Sequence, residues 1–212
     1  MLIIFDFDGV IFEAKWQNLF KAYRAIIKEE GKNSKDFFKN LEEFKRWWTP
    51  DWHKNNKKIG IQSLNKSLES HALFYKVYNS GLGLFSWVNS VMKTLYQNHR
   101  LAVLTNRHKA DAEKYLNPVI KYFSLIVGCE DIKKLKPDPE GINFILWRSE
   151  IFKTRSALSN VLMIGDMPDD IMAGKAAGIK TGAVKWGLGD WNELLALNPD
   201  YAFEKYKDLL GI

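Results

Sequence analysis

The chain has 212 residues, 46% hydrophobic and 26% charged, with a formal net charge of +6, enough for one substantial core, or a core domain with a smaller appendage, in a soluble globular protein. No stretch reaches the roughly 18 consecutive apolar residues of a membrane-spanning helix, and a single cysteine, Cys129, excludes an internal disulfide framework. The opening MLIIFDFDGV carries Asp6 and Asp8 inside its apolar stretch with no basic segment ahead of it, which predicts no signal peptide and a cytoplasmic location.

Leu2 to Phe5 is a short apolar run ending at Asp6, the pattern of a buried parallel strand leading into a loop. The period then changes. Trp16, Leu19, Phe20, Tyr23, Ile26 and Ile27 recur at helical spacing, and Gly31 is placed to stop that helix. A second helix is expected from Ser34 as N-cap, with Phe37, Phe38, Leu41, Phe44 and Trp48 on one face and Thr49-Pro50 ending it. A polar loop from Asp51 to Lys58 separates it from a third, marked by Leu64, Leu68, Ala72, Tyr75 and Tyr78 and terminated by Gly81 and Gly83. From Leu84 onward strands and helices alternate. The patterns predict strands at 101–104, 125–128, 161–164, 181–184 and, more weakly, 201–203, with helices over 85–97, 109–116, 140–152 and 169–177. The fold class is therefore α/β: a Rossmann-like parallel sheet with helices on both faces and an inserted α-helical domain. The expected division is a core of residues 1–13 and 81–212 and a helical domain of residues 14–80.

Charge is divided unevenly between these parts. Residues 14–80 hold 14 Lys and Arg against 7 Asp and Glu, whereas the rest holds 17 against 18. A basic insert suits a solvated helical surface, a nucleic-acid contact, or attraction of a small anion.

Four patches bear residues for phosphoryl transfer: Asp6-Phe7-Asp8-Gly9, Leu104-Thr105-Asn106, Lys136-Pro137-Asp138-Pro139, and Gly165-Asp166-Met167-Pro168-Asp169-Asp170. Asp6 and Asp8, two residues apart in extended chain, leave the same side, so one carboxylate can attack while the other handles a proton. A carboxylate attacking a phosphate meets like charge, roughly 5 kcal/mol per unit pair at 3.5 Å with an effective dielectric near 20. Cations must oppose it, and Lys136 and a second acidic cluster able to hold Mg2+ are the available means. Each patch has a plainer reading. Asp-x-Asp-Gly is also a turn or calcium-loop fragment, Thr-Asn after a strand is also a helix cap, and acids beside Pro168 also suit a helix start.

Taken together, and in this order, the patches resemble motifs I to IV of the haloacid dehalogenase superfamily, over residues 2 to 170. The resemblance implies a phosphatase in which Asp6 is the nucleophile and Asp8 the general acid and base. Thr105, through hydroxyl and N–H, and Asn106 would bind the phosphoryl group, and Lys136 would neutralise it. Mg2+ would be held by Asp6, the backbone carbonyl of Asp8 and Asp166, with Asp170 orienting Asp166 or a metal-bound water. Asp8 argues against dehalogenases and phosphonatases, which lack that second acid. Gly9-Val10 is also seen in β-phosphoglucomutase-like members, so a sugar phosphomutase is an alternative, as is a non-catalytic protein binding an anion or nucleic acid. Ala173-Gly174-Lys175-Ala176-Ala177-Gly178 and Trp186-Gly187-Leu188-Gly189 resemble the phosphoglycolate phosphatase-like branch. The insert corresponds to that family's C1 cap, making Trp47, Trp48, Trp52, His53 and Lys54 candidate lining residues, although aromatics at helical spacing are more often core. The implied partner is a small phosphorylated substrate; nucleic acid is disfavoured and no membrane is involved. Arg107 and His108 read as exposed basic residues.

Overall fold

The computed structural model describes residues 1–61, 64–151 and 155–212, with residues 53, 64–69 and 155 described by backbone alone. The chain divides into two compact units, Met1–Glu13 with Leu84–Ile212, and Ala14–Gly83. In chain order, β1 (Leu2–Phe5) precedes four helices of the second unit: α1 (Trp16–Glu29), α2 (Leu41–Trp47), α3 (Trp52–Lys58) and α4 (Leu64–Tyr78). The first unit then continues with α5 (Val88–Tyr96), β2 (Arg100–Leu104), α6 (Lys109–Leu116), β3 (Phe123–Val127), α7 (Glu140–Arg148) and α8 (Arg155–Leu158). It closes with β4 (Val161–Gly165), α9 (Pro168–Ala176), β5 (Lys180–Val184), α10 (Trp191–Ala196) and β6 (Tyr201–Phe203).

The six strands form one sheet in the order β3-β2-β1-β4-β5-β6, and every neighbouring pair is parallel. Parallel strands covered on both faces must be apolar throughout, and β1 (LIIF) and β4 (VLMIG) are buried along their whole length. On one face Leu2, Ile4, Ala102, Leu104 and Met163 pack with Ile142, Ile145 and Leu146 of α7. Each such fully buried Leu, Ile or Met side chain contributes about 1.5–3 kcal/mol. The helix expected over 140–152 stops at Arg148, and its expected end, Phe152, lies outside the described residues. Two short helices, α8 and α10, were not expected; α10 carries Trp191, Leu194 and Leu195 at helical spacing but over fewer than two turns, and is started by Asp190, whose carboxylate accepts from the N–H groups of Asn192 and Glu193.

The loop after β1 is tied back on itself. The Gly9 N–H donates to the Phe12 carbonyl (2.8 Å), Phe12 forms an antiparallel bridge with Leu84, and the Phe85 N–H donates to the Ile11 carbonyl (3.1 Å).

Within the second unit, α1 buries Leu19, Ala22, Tyr23, Ile26 and Ile27. Phe44 lies at its aromatic centre, with ring centroids 5.0 Å from Phe38 and 5.6 Å from both Phe20 and Tyr23. The segment expected as one helix from Ser34 is a 3-10 turn at Ser34–Asp36 followed, after a break, by α2. Asn40 decides that break: its side chain accepts from the Glu43 N–H, while the Glu43 carboxylate accepts from the Lys39 N–H. The stretch expected as a polar loop over 51–58 is instead α3, capped by Asp51, which accepts from the Lys54 N–H. Its polar Asn55 is fully buried, donating to the Tyr23 hydroxyl and the Thr49 carbonyl and accepting from the Thr49 N–H. Trp47, Trp48 and Trp52 contact Tyr23, Trp16 and Phe74 of this same unit. The His53 side chain lies outside the described residues.

Candidate active site

Parallel register brings three strand ends together. Phe5 pairs with Val103 of β2 and Ile164 of β4, so Asp6, Thr105 and Asp166 follow the carboxyl ends of three adjacent central strands. The strand order turns between β1 and β4, the place where such sheets open a crevice for ligands. The Asp6 N–H donates to the Ile164 carbonyl (2.8 Å) and fixes the first acid against β4.

Lys136 is buried, and its ammonium has three partners: Asp6 Oδ1 at 2.7 Å, Asp170 Oδ1 at 2.6 Å and the Leu104 carbonyl at 3.3 Å. Burial pulls its pKa down, but the Asp170 and Asp6 carboxylates outweigh burial and hold it above the usual lysine value. Asp170 is the third residue of α9; its Oδ2 accepts from the N–H groups of Asp166 (3.1 Å) and Met167 (3.0 Å). With both oxygens engaged, Asp170 acts as a brace linking the lysine to the loop that carries Asp166.

Asp166 is buried, and one of its two acceptors is left unpaired. Its Oδ2 accepts from the Leu188 N–H (2.7 Å), whereas Oδ1 is buried without a hydrogen-bond partner. Burial, followed by the charges of Asp6 and Asp170, raises its pKa well above the carboxylate range. One oxygen from each of Asp6, Asp166 and Asp170 falls within 4.8 Å of the others. Three clustered carboxylates against one ammonium, with one acceptor unpaired, fit a hard divalent cation such as Mg2+. Room for Asp166 is made by glycines: Gly9 has φ +80°, and a Cβ there or at Gly187 would overlap the Asp166 carboxylate. The Trp186–Gly189 segment, noted from sequence only for its resemblance to the phosphoglycolate phosphatase-like branch, thus contributes a backbone donor and clearance to this acid.

Burial raises Asp6 to about 7, against Lys136, which lowers it, and with Asp170, which raises it further. In an unfolded chain an aspartate ionises near 4. A folded-state pKa above the unfolded one means that stability falls as pH rises from about 4 through 7. Thermal melts in chelator should accordingly lose Tm between pH 5.5 and pH 8, and Mg2+ should shrink that loss by compensating the ionised acids. An identical pH slope with and without Mg2+ would remove the cation from this cluster.

The second acid lies apart from the cluster. Asp8 is gripped by Arg107 at both oxygens, Nη2 to Oδ1 at 2.5 Å and Nε to Oδ2 at 3.1 Å. Arg107, read from sequence as exposed, is 2% exposed. It also pairs with Asp111 (2.6 Å), and its guanidinium stands 5.1 Å and 5.0 Å from the ring centroids of Phe7 and Phe12. The i,i+4 spacing of Arg107 and Asp111, with aromatics flanking Asp8, was the available sequence signal.

Thr105 and Asn106 are placed beside Lys136 with a narrower role than expected. The Thr105 N–H, expected to meet a phosphoryl oxygen, extends the β2–β3 ladder to the Val127 carbonyl (3.0 Å). Its hydroxyl oxygen accepts from the Arg107 N–H (3.1 Å), which leaves the hydroxyl proton to donate. Asn106 brackets the backbone of Lys136: its Oδ1 accepts from the Lys136 N–H (3.2 Å), and its Nδ2 lies 3.5 Å from the Lys136 carbonyl. Asn106 therefore holds the lysine loop in place.

Known proteins resemble this chain in sequence and in fold. The family model described as haloacid dehalogenase-like hydrolase matches residues 3–184. Pyrophosphatase PpaX of Oceanobacillus iheyensis is 26% identical over 225 residues, 99% of this chain and 95% of the relative. Pyrophosphatase PpaX of Listeria welshimeri is 30% identical over 152 residues, 68% of each chain. Among solved structures, a putative haloacid dehalogenase-like hydrolase from Bacteroides fragilis aligns with a TM-score of 0.79 over 98% of both chains at 21% identity, a likeness of fold.

Proposed function

Because the chain belongs to the haloacid dehalogenase-like hydrolases, we propose that it is a Mg2+-dependent phosphatase that hydrolyses a small phosphorylated compound through an aspartyl phosphate on Asp6. One observation carries this reading: Asp6 shares the Lys136 ammonium with Asp170, beside the unpaired, buried Oδ1 of Asp166.

Asp6 and Asp166 would hold Mg2+ with the Asp8 carbonyl, and Asp170 would orient Asp166. When bound, the ion supplies positive charge against the phosphoryl oxygens. An Asp6 oxygen forms a bond to phosphorus as the bond to the leaving oxygen breaks, and that oxygen takes a proton from Asp8. A water then gives its proton to Asp8 and attacks the same phosphorus, which breaks the Asp6 bond and releases inorganic phosphate. Lys136 remains charged throughout, and the Thr105 hydroxyl donates to a phosphoryl oxygen.

In this reading Arg107 sets the direction of Asp8. Arg107→Gln should lower kcat about 100-fold with KM within about threefold, since an acid–base group contributes 10²–10⁴ and misplacement forfeits part of it. Arg107→Lys should recover little, because an ammonium cannot grip both oxygens. Steady-state kinetics of both variants checks this; unchanged kcat in Arg107→Gln would detach Arg107 from the chemistry.

The relatives named as pyrophosphatases put inorganic pyrophosphate among the compounds to test. Residues 14–80 are proposed as the cap by which members of the family choose substrates. Among the described residues no helix is long and apolar enough to cross a membrane, and a cytoplasmic location is proposed. The deciding experiment is a screen of purified protein against pyrophosphate and a panel of phosphorylated metabolites with Mg2+, read as phosphate release. Absence of release from every compound would defeat the proposal, and isomerised sugar phosphate without release would indicate a mutase.

A further inference from the structure

A second cluster of metal-ligating groups stands on the loops after β2 and β3. The His108 Nδ1 lies 3.4 Å from the Glu130 Oε2, the Cys129 Sγ lies 3.7 Å from the same oxygen, and all three residues offer an atom within 4.8 Å of the others. Imidazole, thiolate and carboxylate are the donor set of zinc-type ions and a poor one for Mg2+ or Ca2+. Bond lengths of about 2.0–2.3 Å at tetrahedral angles place ligand atoms about 3.3–3.8 Å apart, the range of both separations to Glu130. The two loops are tied together: the Cys129 N–H donates to the Arg107 carbonyl (3.0 Å), and the Lys109 N–H donates to both oxygens of the Glu130 side-chain carboxylate (2.9 and 3.1 Å). His108 and Glu130 are each about two-fifths exposed, so an ion can reach them from solvent.

We propose that His108, Cys129 and Glu130 form a binding site for a zinc-type divalent ion, with three protein ligands and a fourth position open to water. On binding, the Cys129 thiol gives its proton to solvent and forms the sulfur–metal bond. None of the three residues belongs to the acidic cluster, so the proposal is independent of the phosphatase reading.

Co2+ is the probe, because thiolate bound to it absorbs in the near ultraviolet. The reduced, metal-stripped full chain would be titrated with Co2+ in excess Mg2+, which keeps the acidic cluster supplied. One equivalent should produce the thiolate-to-cobalt band, and Zn2+ should displace it stoichiometrically. Cys129 is the only cysteine of the chain, so the band can report no other residue. Cys129→Ser should abolish it, and His108→Gln and Glu130→Gln should each weaken Co2+ binding about tenfold or more. Melting in Mg2+ verifies that each variant is folded. Absence of the band in the wild type overturns the site, as does binding of equal affinity in folded His108→Gln and Glu130→Gln, since the thiol would then be acting alone.

Discussion

Asp6→Asn is expected to lower kcat by about 10⁴-fold or more while leaving the protein folded, because an amide occupies the same space but does not attack phosphorus. The position makes this a discriminating test. Asp6 is buried against Asp166 and Asp170, and burial together with the Asp170 charge raises its pKa to about 7 despite Lys136. Removing its charge relieves repulsion within the cluster as it weakens one contact of Lys136, so Tm should change little or rise. Loss of turnover therefore cannot be ascribed to unfolding. In the wild type, rapid quenching during turnover followed by peptide mass analysis should find one added phosphoryl group on the peptide containing Asp6. Near-normal turnover of Asp6→Asn, repeated on independent preparations, would refute the covalent route.

The second large effect is expected at Asp166. In Asp166→Asn the amide oxygen can still accept from the Leu188 N–H, so the loop after β5 should keep its place. The atom now unpaired at Oδ1 would become an NH2 group, which presents hydrogens to the cation instead of a lone pair. Activity at a fixed low Mg2+ concentration should fall about 10³-fold, with part of it recovered at high Mg2+, because a carboxylate ligand of this hard ion has been lost. Chelator should abolish wild-type activity and Mg2+ restore it, with Ca2+ a poor replacement. Wild-type activity undiminished in chelator, or an unchanged Mg2+ requirement in Asp166→Asn, would take the ion away from this acid.

The parts visible in the sequence are those whose physics is local or carried by residue identity. Central strands of a parallel sheet must be apolar on both faces, which made LIIF and VLMIG readable as strands. Asp6, Lys136, Asp166 and Asp170 were singled out by the order and resemblance of the four patches, since each patch alone has a plainer reading, and the structure brings their side chains together. Short helices were misread where one polar side chain decides their start: Asn40 and Asp51 act as caps, and Asn55, polar in the sequence, is buried by partners up to 32 residues away. Arg107 was misjudged for a similar reason. Its burial rests on Asp8, 99 residues away, and on two rings beside that acid. Backbone groups carry no residue identity, so neither the use of the Thr105 N–H within the sheet nor the donation from Leu188 to Asp166 could be read in advance.

The bridge between Phe12 and Leu84 makes the insertion a replaceable cassette. The chain departs and returns at neighbouring points, and the flanking bonds from Gly9 and Phe85 lie wholly within the unit that contains the sheet. Joining the two points by a turn of a few residues would shorten the closed loop and reduce its entropic cost by about 2–3 kcal/mol. Among the described residues, the strand pairing and the bonds of Asp6, Asp166 and Asp170 to Lys136, Leu188 and the loop after β4 are made within that unit. A gene encoding this sheet could thus exchange one insertion for another of different length in a single recombination event, with Asp6 already in place.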